Sequence, residues 1–273
     1  MTGEYRGPLQ LVIFDWAGTT VDHGCFAPVV PFQELFRARG VDLTVAEARE
    51  PMGLGKRDHI AALLEMPEVA ARWKVAQGKL PTAAELDRMF AEEFMPRQLE
   101  SVADCCELVP GMLSCVAALR QRGLRIGATT GYFREAEEMV VAAAKRQGYE
   151  PDAHYSASDV PAGRPAPWMV YRNMQTLGVF PPAAVVKVGD TVPDIEEGRN
   201  AGVWSLGVAA TGSDVGLSAP QLASLVPADL NVRLGAARQK LQAAGAHYVI
   251  NSVADLPDLL PEIERRVAAG ERP

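Results

Sequence analysis

The chain has 273 residues, 48% of them hydrophobic, and a formal net charge of −7 at pH 7. An acidic balance with scattered Lys and Arg excludes a large basic face, and with it a nucleic-acid partner. No apolar run approaches the roughly 18 residues of a membrane span, and Met1-Thr2-Gly3-Glu4-Tyr5-Arg6 lacks a signal peptide's apolar stretch, so no membrane partner and a cytoplasmic location are expected.

The first element is the apolar run Leu11-Val12-Ile13-Phe14, which ends abruptly in Asp15 before the small-residue loop Ala17-Gly18-Thr19-Thr20. Its length and bounding turn signals read as a buried parallel strand. Val29 to Arg39 then carries Val29, Phe32, Leu35 and Phe36 at helical spacing, and Gly40 stops it. Thr44-Val45-Ala46-Glu47 is a capping box that opens a short helix ending at Pro51. Met52-Gly53-Leu54-Gly55-Lys56 reads as a loop, followed by helices over 58–64 and 66–77. A second capping box, Thr82-Ala83-Ala84-Glu85, opens a long helix in which Pro96 predicts a kink. From about 105 onward the pattern alternates. Helices are expected over 111–122, 134–147, 167–177 and 195–201, and strands over 124–130, 153–156, 184–190 and 203–208. Two more helical stretches, a short strand near His247–Ile250 and a last helix complete the chain.

Strand–helix alternation predicts an α/β protein with a Rossmann-like parallel-sheet core and helices on both faces. The first strand cannot fold alone and must rejoin the later ones. Residues 1–23 and 105–273 are therefore expected to form the core, and 24–104 an inserted helical cap. The four cysteines, Cys25, Cys105, Cys106 and Cys115, show no CxxC spacing and read as free thiols.

Ligands of open α/β sheets bind beyond the carboxyl ends of the strands. Polar groups stand at four such places: Asp15; Thr130 with Gly131; Arg164; and Asp190 with Asp194. Taken singly, each has an ordinary reading as a cap, a loop hydrogen bonder or a surface arginine. Together and in this order they resemble the haloacid dehalogenase superfamily, in which an aspartate nucleophile, a Ser/Thr, a Lys/Arg and paired acids occupy successive strand ends. Elementary chemistry is consistent with that resemblance. Asp15 and Asp190 at one sheet edge repel, and a hard cation such as Mg2+ relieves this through oxygen ligands. Thr130 and the Gly131 and Ala17–Gly18 amides can donate to phosphate oxygens. Arg164 can neutralise a transferring phosphoryl group.

One position departs from the superfamily's phosphatases, which carry a second Asp two residues after the nucleophile as acid and base for the leaving group. Here it is Ala17. A leaving group that departs as carbon needs an electron sink rather than a proton on oxygen. A lysine imine is such a sink. Lys56, behind a Gly-flanked loop, is the candidate; adjacent Arg57 or desolvation is expected to depress its pKa, and His59 to handle protons during imine formation. Three alternatives stay open at this point: a phosphatase or phosphomutase acting on monoesters, a binding protein with a dead site, and a metal-independent dehalogenase.

Longer strings narrow the resemblance to the phosphonoacetaldehyde hydrolase family. They are Phe14-Asp15-Trp16-Ala17-Gly18-Thr19-Thr20-Val21-Asp22, Pro51-Met52-Gly53-Leu54 with Lys56, Asp58 and His59, Thr129-Thr130-Gly131-Tyr132, Val160-Pro161-Ala162-Gly163-Arg164-Pro165, and Lys187-Val188-Gly189-Asp190-Thr191-Val192 with Asp194. The resemblance implies Mg2+-dependent cleavage of the C–P bond of phosphonoacetaldehyde to acetaldehyde and phosphate. Lys56 would form the Schiff base and Asp15 the aspartyl phosphate. It implies Mg2+ on Asp15, the Ala17 carbonyl and Asp190, with Asp194 one step further out holding the loop or a water. Cys25, Met52, His59 and Tyr132 would lie near the substrate beside Thr130, Gly131 and Arg164. A homodimer is also implied, with Phe32, Phe36 and Trp73 as candidate interface residues, Trp73 reading equally as core of the cap.

Overall fold

Six parallel strands form one sheet in the order β3-β2-β1-β4-β5-β6 in this computed structural model, which describes residues 5–273. They are β1 (Leu11–Asp15), β2 (Arg125–Thr130), β3 (Ala153–Ser156), β4 (Val185–Gly189), β5 (Trp204–Val208) and β6 (Tyr248–Ile250). Met1–Glu4, the start of the expected core segment and most of the stretch read for a signal peptide, lie outside the described residues. The most apolar strand, β1, is central, flanked by β2 and β4, so that Asp15 stands opposite Thr129. Successive side chains of β1 enter opposite faces of the sheet, as strand geometry requires. Val12 and Phe14 join one core cluster, Leu11 and Ile13 the other.

Thirteen α-helices follow β1 among the described residues, seven before β2 and six after it. Between β1 and β2 come α1 (Val29–Arg37), α2 (Val45–Arg49), α3 (Lys56–Glu65), α4 (Pro67–Gln77), α5 (Ala83–Arg88) and α6 (Met95–Asp104), and then α7 (Met112–Gln121), which returns the chain to the sheet. The remaining helices are α8 (Arg134–Arg146), α9 (Trp168–Leu177), α10 (Val192–Ala201), α11 (Ala219–Ser224), α12 (Pro227–Ala243) and α13 (Leu256–Ala268). Buried residues of α7, α8 and α13 share the cluster of Val12 and Phe14; those of α9 and α10 share that of Leu11 and Ile13. Among the described residues no helix is long and apolar enough to cross a membrane.

The region from α1 to α6 is wholly helical, and both capping boxes form, Thr44 with Glu47 and Thr82 with Glu85. Pro96 lies in the first turn of α6, just past an irregular turn. The turn ahead of it, Met89–Phe94, is π-helical, and the Met95 N–H donates to the Phe90 carbonyl, five residues back. The wider turn accommodates a residue that cannot supply the usual amide. Two expectations need correction. Lys56 is the first residue of α3, not part of a free loop. Phe32, Phe36 and Trp73 are not surface residues available to a partner: all are buried, and Phe36 meets Trp73 edge-on with ring centroids 5.3 Å apart. They form the insertion's own core because their helical spacing turns them toward one another.

Candidate active site

Asp15 ends β1 with 5% of its surface exposed. The chain then turns back sharply. The Trp16 carbonyl accepts from the amides of Thr19, Thr20 and Val21, and Gly18 N–H donates to Val21 O at 2.8 Å. Gly18 takes φ +88°, and a Cβ there would lie 2.6 Å from Asp190 Oδ2, so only glycine lets this turn close over the second carboxylate. Thr20 Oγ1 donates to Asp15 O, and Thr19 Oγ1 donates to Asp190 Oδ1 at 3.1 Å. Asp190, just past β4, also accepts from the Ser213 amide at 2.8 Å. Asp194 is the third helical residue of α10 and closes a capping box with Thr191, accepting from its hydroxyl and amide.

Carboxylate oxygens of Asp15, Asp190 and Asp194 lie within 4.8 Å of one another, all buried. Burial, then the Asp194 charge, push the Asp15 carboxyl up to about 6, against the pull of Arg164 and Lys187. Asp190 is raised further, by burial first and then by Asp15 and Asp194. Burial also opposes ionisation of Asp194, but Arg164 and Lys187 outweigh it and hold that carboxyl below its ordinary value. Asp15 and Asp190 thus carry an excess of negative potential. Buried charges cost several kcal/mol each unless compensated. An all-oxygen set with such an excess fits a hard divalent cation.

Arg164 is 4% exposed, and each of its three nitrogens meets an acceptor. Nη2 reaches Asp15 Oδ1 at 2.8 Å and Thr129 at 2.7 and 2.8 Å; Nη1 reaches Asp194 at 2.9 Å; Nε reaches Glu197 at 3.0 Å. Lys187, fully buried in the middle of β4, pairs with Asp194 at 2.6 Å. Lys187, Glu197, Thr19 and Ser213 went unassigned in the sequence. The first two had a signal: a lysine inside the apolar run Val185–Gly189, and a glutamate one helical turn after Asp194. Thr19 and Ser213 had none, since they meet Asp190 across loops distant in the chain.

The opposite wall comes from the insertion. Lys56 is 6% exposed. Its ammonium lies 5.1 Å from the Tyr132 ring centre and 6.0 Å from that of Phe32. Among the described residues no carboxylate stands within ion-pair distance of it. Burial holds its pKa below the ordinary value; Cys25 and Asp15 pull it upward, and Arg164 downward. Arg57, one of the two expected sources of that downward push, turns away and pairs with Asp87 at 2.7 Å, which leaves burial, the other, together with Arg164.

A small cavity of about 20 Å3 is lined by Asp15, Ala17, Cys25, Met52, Lys56, Thr130, Gly131, Tyr132, Arg164 and Asp194, so nearly all the expected site residues meet there. Asp190 stands just behind this wall, against Asp15 and Asp194. The roof is tightly seated. A Cβ on Gly131 would strike the Leu54 carbonyl, and one on Gly53, at φ +98°, would strike the Thr191 hydroxyl. Thr130 Oγ1 accepts from Tyr132 N–H at 3.1 Å, leaving its own proton to donate. Burial raises the Tyr132 phenol and the Cys25 thiol well above their ordinary values, keeping both protonated. His59 is not on the cavity wall. Its ring stacks on Phe32 at 3.8 Å, Nε2 lies 3.0 Å from the Ala48 carbonyl, and burial, then Lys56, keep it neutral.

Comparison with known proteins accords with this geometry. The sequence profile of the haloacid dehalogenase-like hydrolases matches residues 9–202. A phosphonoacetaldehyde hydrolase of Nitratidesulfovibrio vulgaris is 46% identical over 272 residues, covering 100% of this chain and 97% of the relative. One from Bacillus cereus is 45% identical over 258 residues, covering 94% of this chain and 97% of the relative. The crystal structure of a phosphonoacetaldehyde hydrolase-like protein from Oleispira antarctica superposes with TM-score 0.97 at 39% identity, covering 100% of this chain and 99% of that one.

Proposed function

The chain belongs to the haloacid dehalogenase-like hydrolases, and from that premise we propose that it hydrolyses the C–P bond of phosphonoacetaldehyde to acetaldehyde and phosphate. The observation that carries the reading is the composition of one cavity. Asp15 and Lys56 share it, with Ala17 where a proton donor to an alkoxide would stand. An ester's leaving oxygen would find no acid at that position. A carbonyl compound bearing phosphorus on the adjacent carbon finds a buried lysine with no carboxylate partner.

In this mechanism the Lys56 amine condenses with the aldehyde and expels water. Asp15 attacks phosphorus in line; the C–P electron pair moves into the imine and leaves an enamine. Protonation at carbon and hydrolysis of the imine release acetaldehyde and free Lys56. Water then cleaves the acyl phosphate on Asp15. Thr130, the Gly131 amide and Arg164 hold the phosphoryl oxygens. Asp15, Asp190 and the Ala17 carbonyl would hold Mg2+, which supplies charge neutralisation at phosphorus when bound, and Asp194 fixes the Thr191 turn beside it. Residues 24–104 act as a cap over a core of 1–23 and 105–273, and its closure excludes water from the imine. Cys25, Met52 and Tyr132 shape the aldehyde end, with His59 supporting Lys56 from behind. The four free thiols support a cytoplasmic location. A homodimer is proposed on the family resemblance, with sedimentation as its test, since the expected aromatic interface residues are buried.

Incubation with phosphonoacetaldehyde and Mg2+ is expected to release phosphate and acetaldehyde in equal amounts. Borohydride added with substrate should inactivate the protein and leave a reduced adduct on Lys56. Brisk hydrolysis of phosphate monoesters without any Lys56 adduct would replace this reading with an ordinary phosphatase.

A further inference from the structure

Beneath Asp15 lies a second layer of charge that the mechanism above does not use. Glu197 is fully buried on α10, three residues after Asp194 and so on the same helix face. One of its oxygens, Oε2, accepts from Arg164 Nε at 3.0 Å and from the Thr129 hydroxyl at 3.1 Å, with Lys187 Nζ 3.7 Å away. The other, Oε1, is buried with no hydrogen-bond partner. The close seat of α10 on the sheet makes these contacts possible: a Cβ on Gly198 would lie 2.7 Å from Ser205 Oγ and 3.2 Å from Lys187 Cβ.

A guanidinium is planar, so fixing one edge fixes the direction of the others. Glu197 takes the Nε edge of Arg164, Asp194 takes Nη1, and Nη2 is left pointing at Asp15 Oδ1. Arg164 and Lys187 face three acids, Asp194, Glu197 and Asp15, while Asp190 has no cation within ion-pair distance among the described residues. Without Glu197, the two cations would face Asp15 and Asp194 alone, and Arg164 would lose the contact that sets its angle.

We propose that Glu197 is a positioning residue: by holding the Nε edge of Arg164 it aims Nη2 at Asp15 and shares the guanidinium's charge with the nucleophile. The consequence for turnover rests on the phosphoryl-transfer reading of Asp15; the aiming itself does not. The test therefore has two arms. In 15N-labelled protein the Arg164 Nε–H, assigned by its loss in Arg164→Lys, should exchange slowly with solvent. Glu197→Gln keeps the acceptor and should preserve that protection, whereas Glu197→Ala should remove it. Unchanged protection in Glu197→Ala overturns the proposal whatever the enzyme's substrate.

The kinetic arm uses the full-length protein with phosphonoacetaldehyde and Mg2+. Glu197→Ala is expected to lower kcat on the order of 100-fold with KM little changed, and Glu197→Gln about tenfold, since misaiming a catalytic group costs amounts of this size. In an Arg164→Lys background the further loss from Glu197→Ala should shrink to about threefold or less, because residues that act as a unit are not additive. Equal losses in both backgrounds would mean a purely structural role and would overturn the proposal. Absence of C–P cleavage by the unmutated protein would overturn the substrate reading alone, with the exchange arm still deciding the aiming.

Discussion

The two walls of the cavity hold their reactive groups by opposite means. On the sheet side, Asp15 is gripped by Arg164 at 2.8 Å within a lattice of buried carboxylates, hydroxyls and cations. On the insertion side, Lys56 lies between aromatic rings with no ion-pair partner among the described residues. Each arrangement suits its task. Under the proposed mechanism Asp15 attacks phosphorus as an aimed carboxylate; burial and Asp194 push it up to about 6, and Arg164 and Lys187 pull against them. An amine that attacks a carbonyl must be neutral, which requires removal of water and of counter-charges that would stabilise the ammonium. In the proposed reaction the two nucleophiles come from separate elements and sit in different surroundings, Asp15 among charges and Lys56 among rings.

The comparison breaks most sharply when each nucleophile is removed in turn. Asp15→Asn keeps the size of the side chain but cannot form the acyl phosphate, so phosphate release should fall by at least about 10³-fold. Borohydride with substrate should still label Lys56 in that variant. Lys56→Arg should abolish both labelling and C–P cleavage, since a guanidinium forms no imine, while leaving inhibition by inorganic phosphate within about threefold of the unmutated protein. If labelling and phosphate binding were lost together in both variants, the walls would not be independent.

A smaller effect is expected where the walls meet. Gly53→Ala places a methyl against Thr191 and strains a turn at φ +98°. Both nucleophiles would survive, but the roof would sit higher. We expect kcat/KM to drop about 30-fold, an amount typical of sub-ångström misplacement, with the thermal midpoint lowered by a few degrees. The smallest effect is expected from Ala17→Asp. Supplying the acid of ordinary phosphatases should give no gain in C–P cleavage, and at most a weak new monoesterase activity in a phosphate-release assay. A large gain in C–P cleavage would contradict the enamine route.

Much of this was legible in the residues. Asp15, Thr130, Arg164 and Asp190 were readable because each follows a strand signal, and strand ends of a parallel sheet converge in space whatever lies between them. The insertion was legible from helical periodicity without alternation over 29–104. The break expected at Pro96 has a counterpart one turn back, a π-helical turn whose form a local rule about proline does not anticipate. For Trp73 an interface and the insertion's own core were equal readings, because a helical stripe shows that a face is covered but not by what.

The sequence by itself determined the sheet, the order of its strands' polar ends and the absence at Ala17, since all three are written in local patterns of two to ten residues. Only the tertiary structure decided which charges compensate which. Lys187, Arg164, Asp194 and Glu197 come from two strands' surroundings and one helix, and their pairing depends on distances of about 3 Å set by how α10 seats on the sheet. Lys56 likewise owes its depressed pKa to burial against Tyr132 and Phe32, not to Arg57 beside it in the chain. Electrostatic environment is a property of through-space neighbours, and adjacency in sequence predicts it poorly.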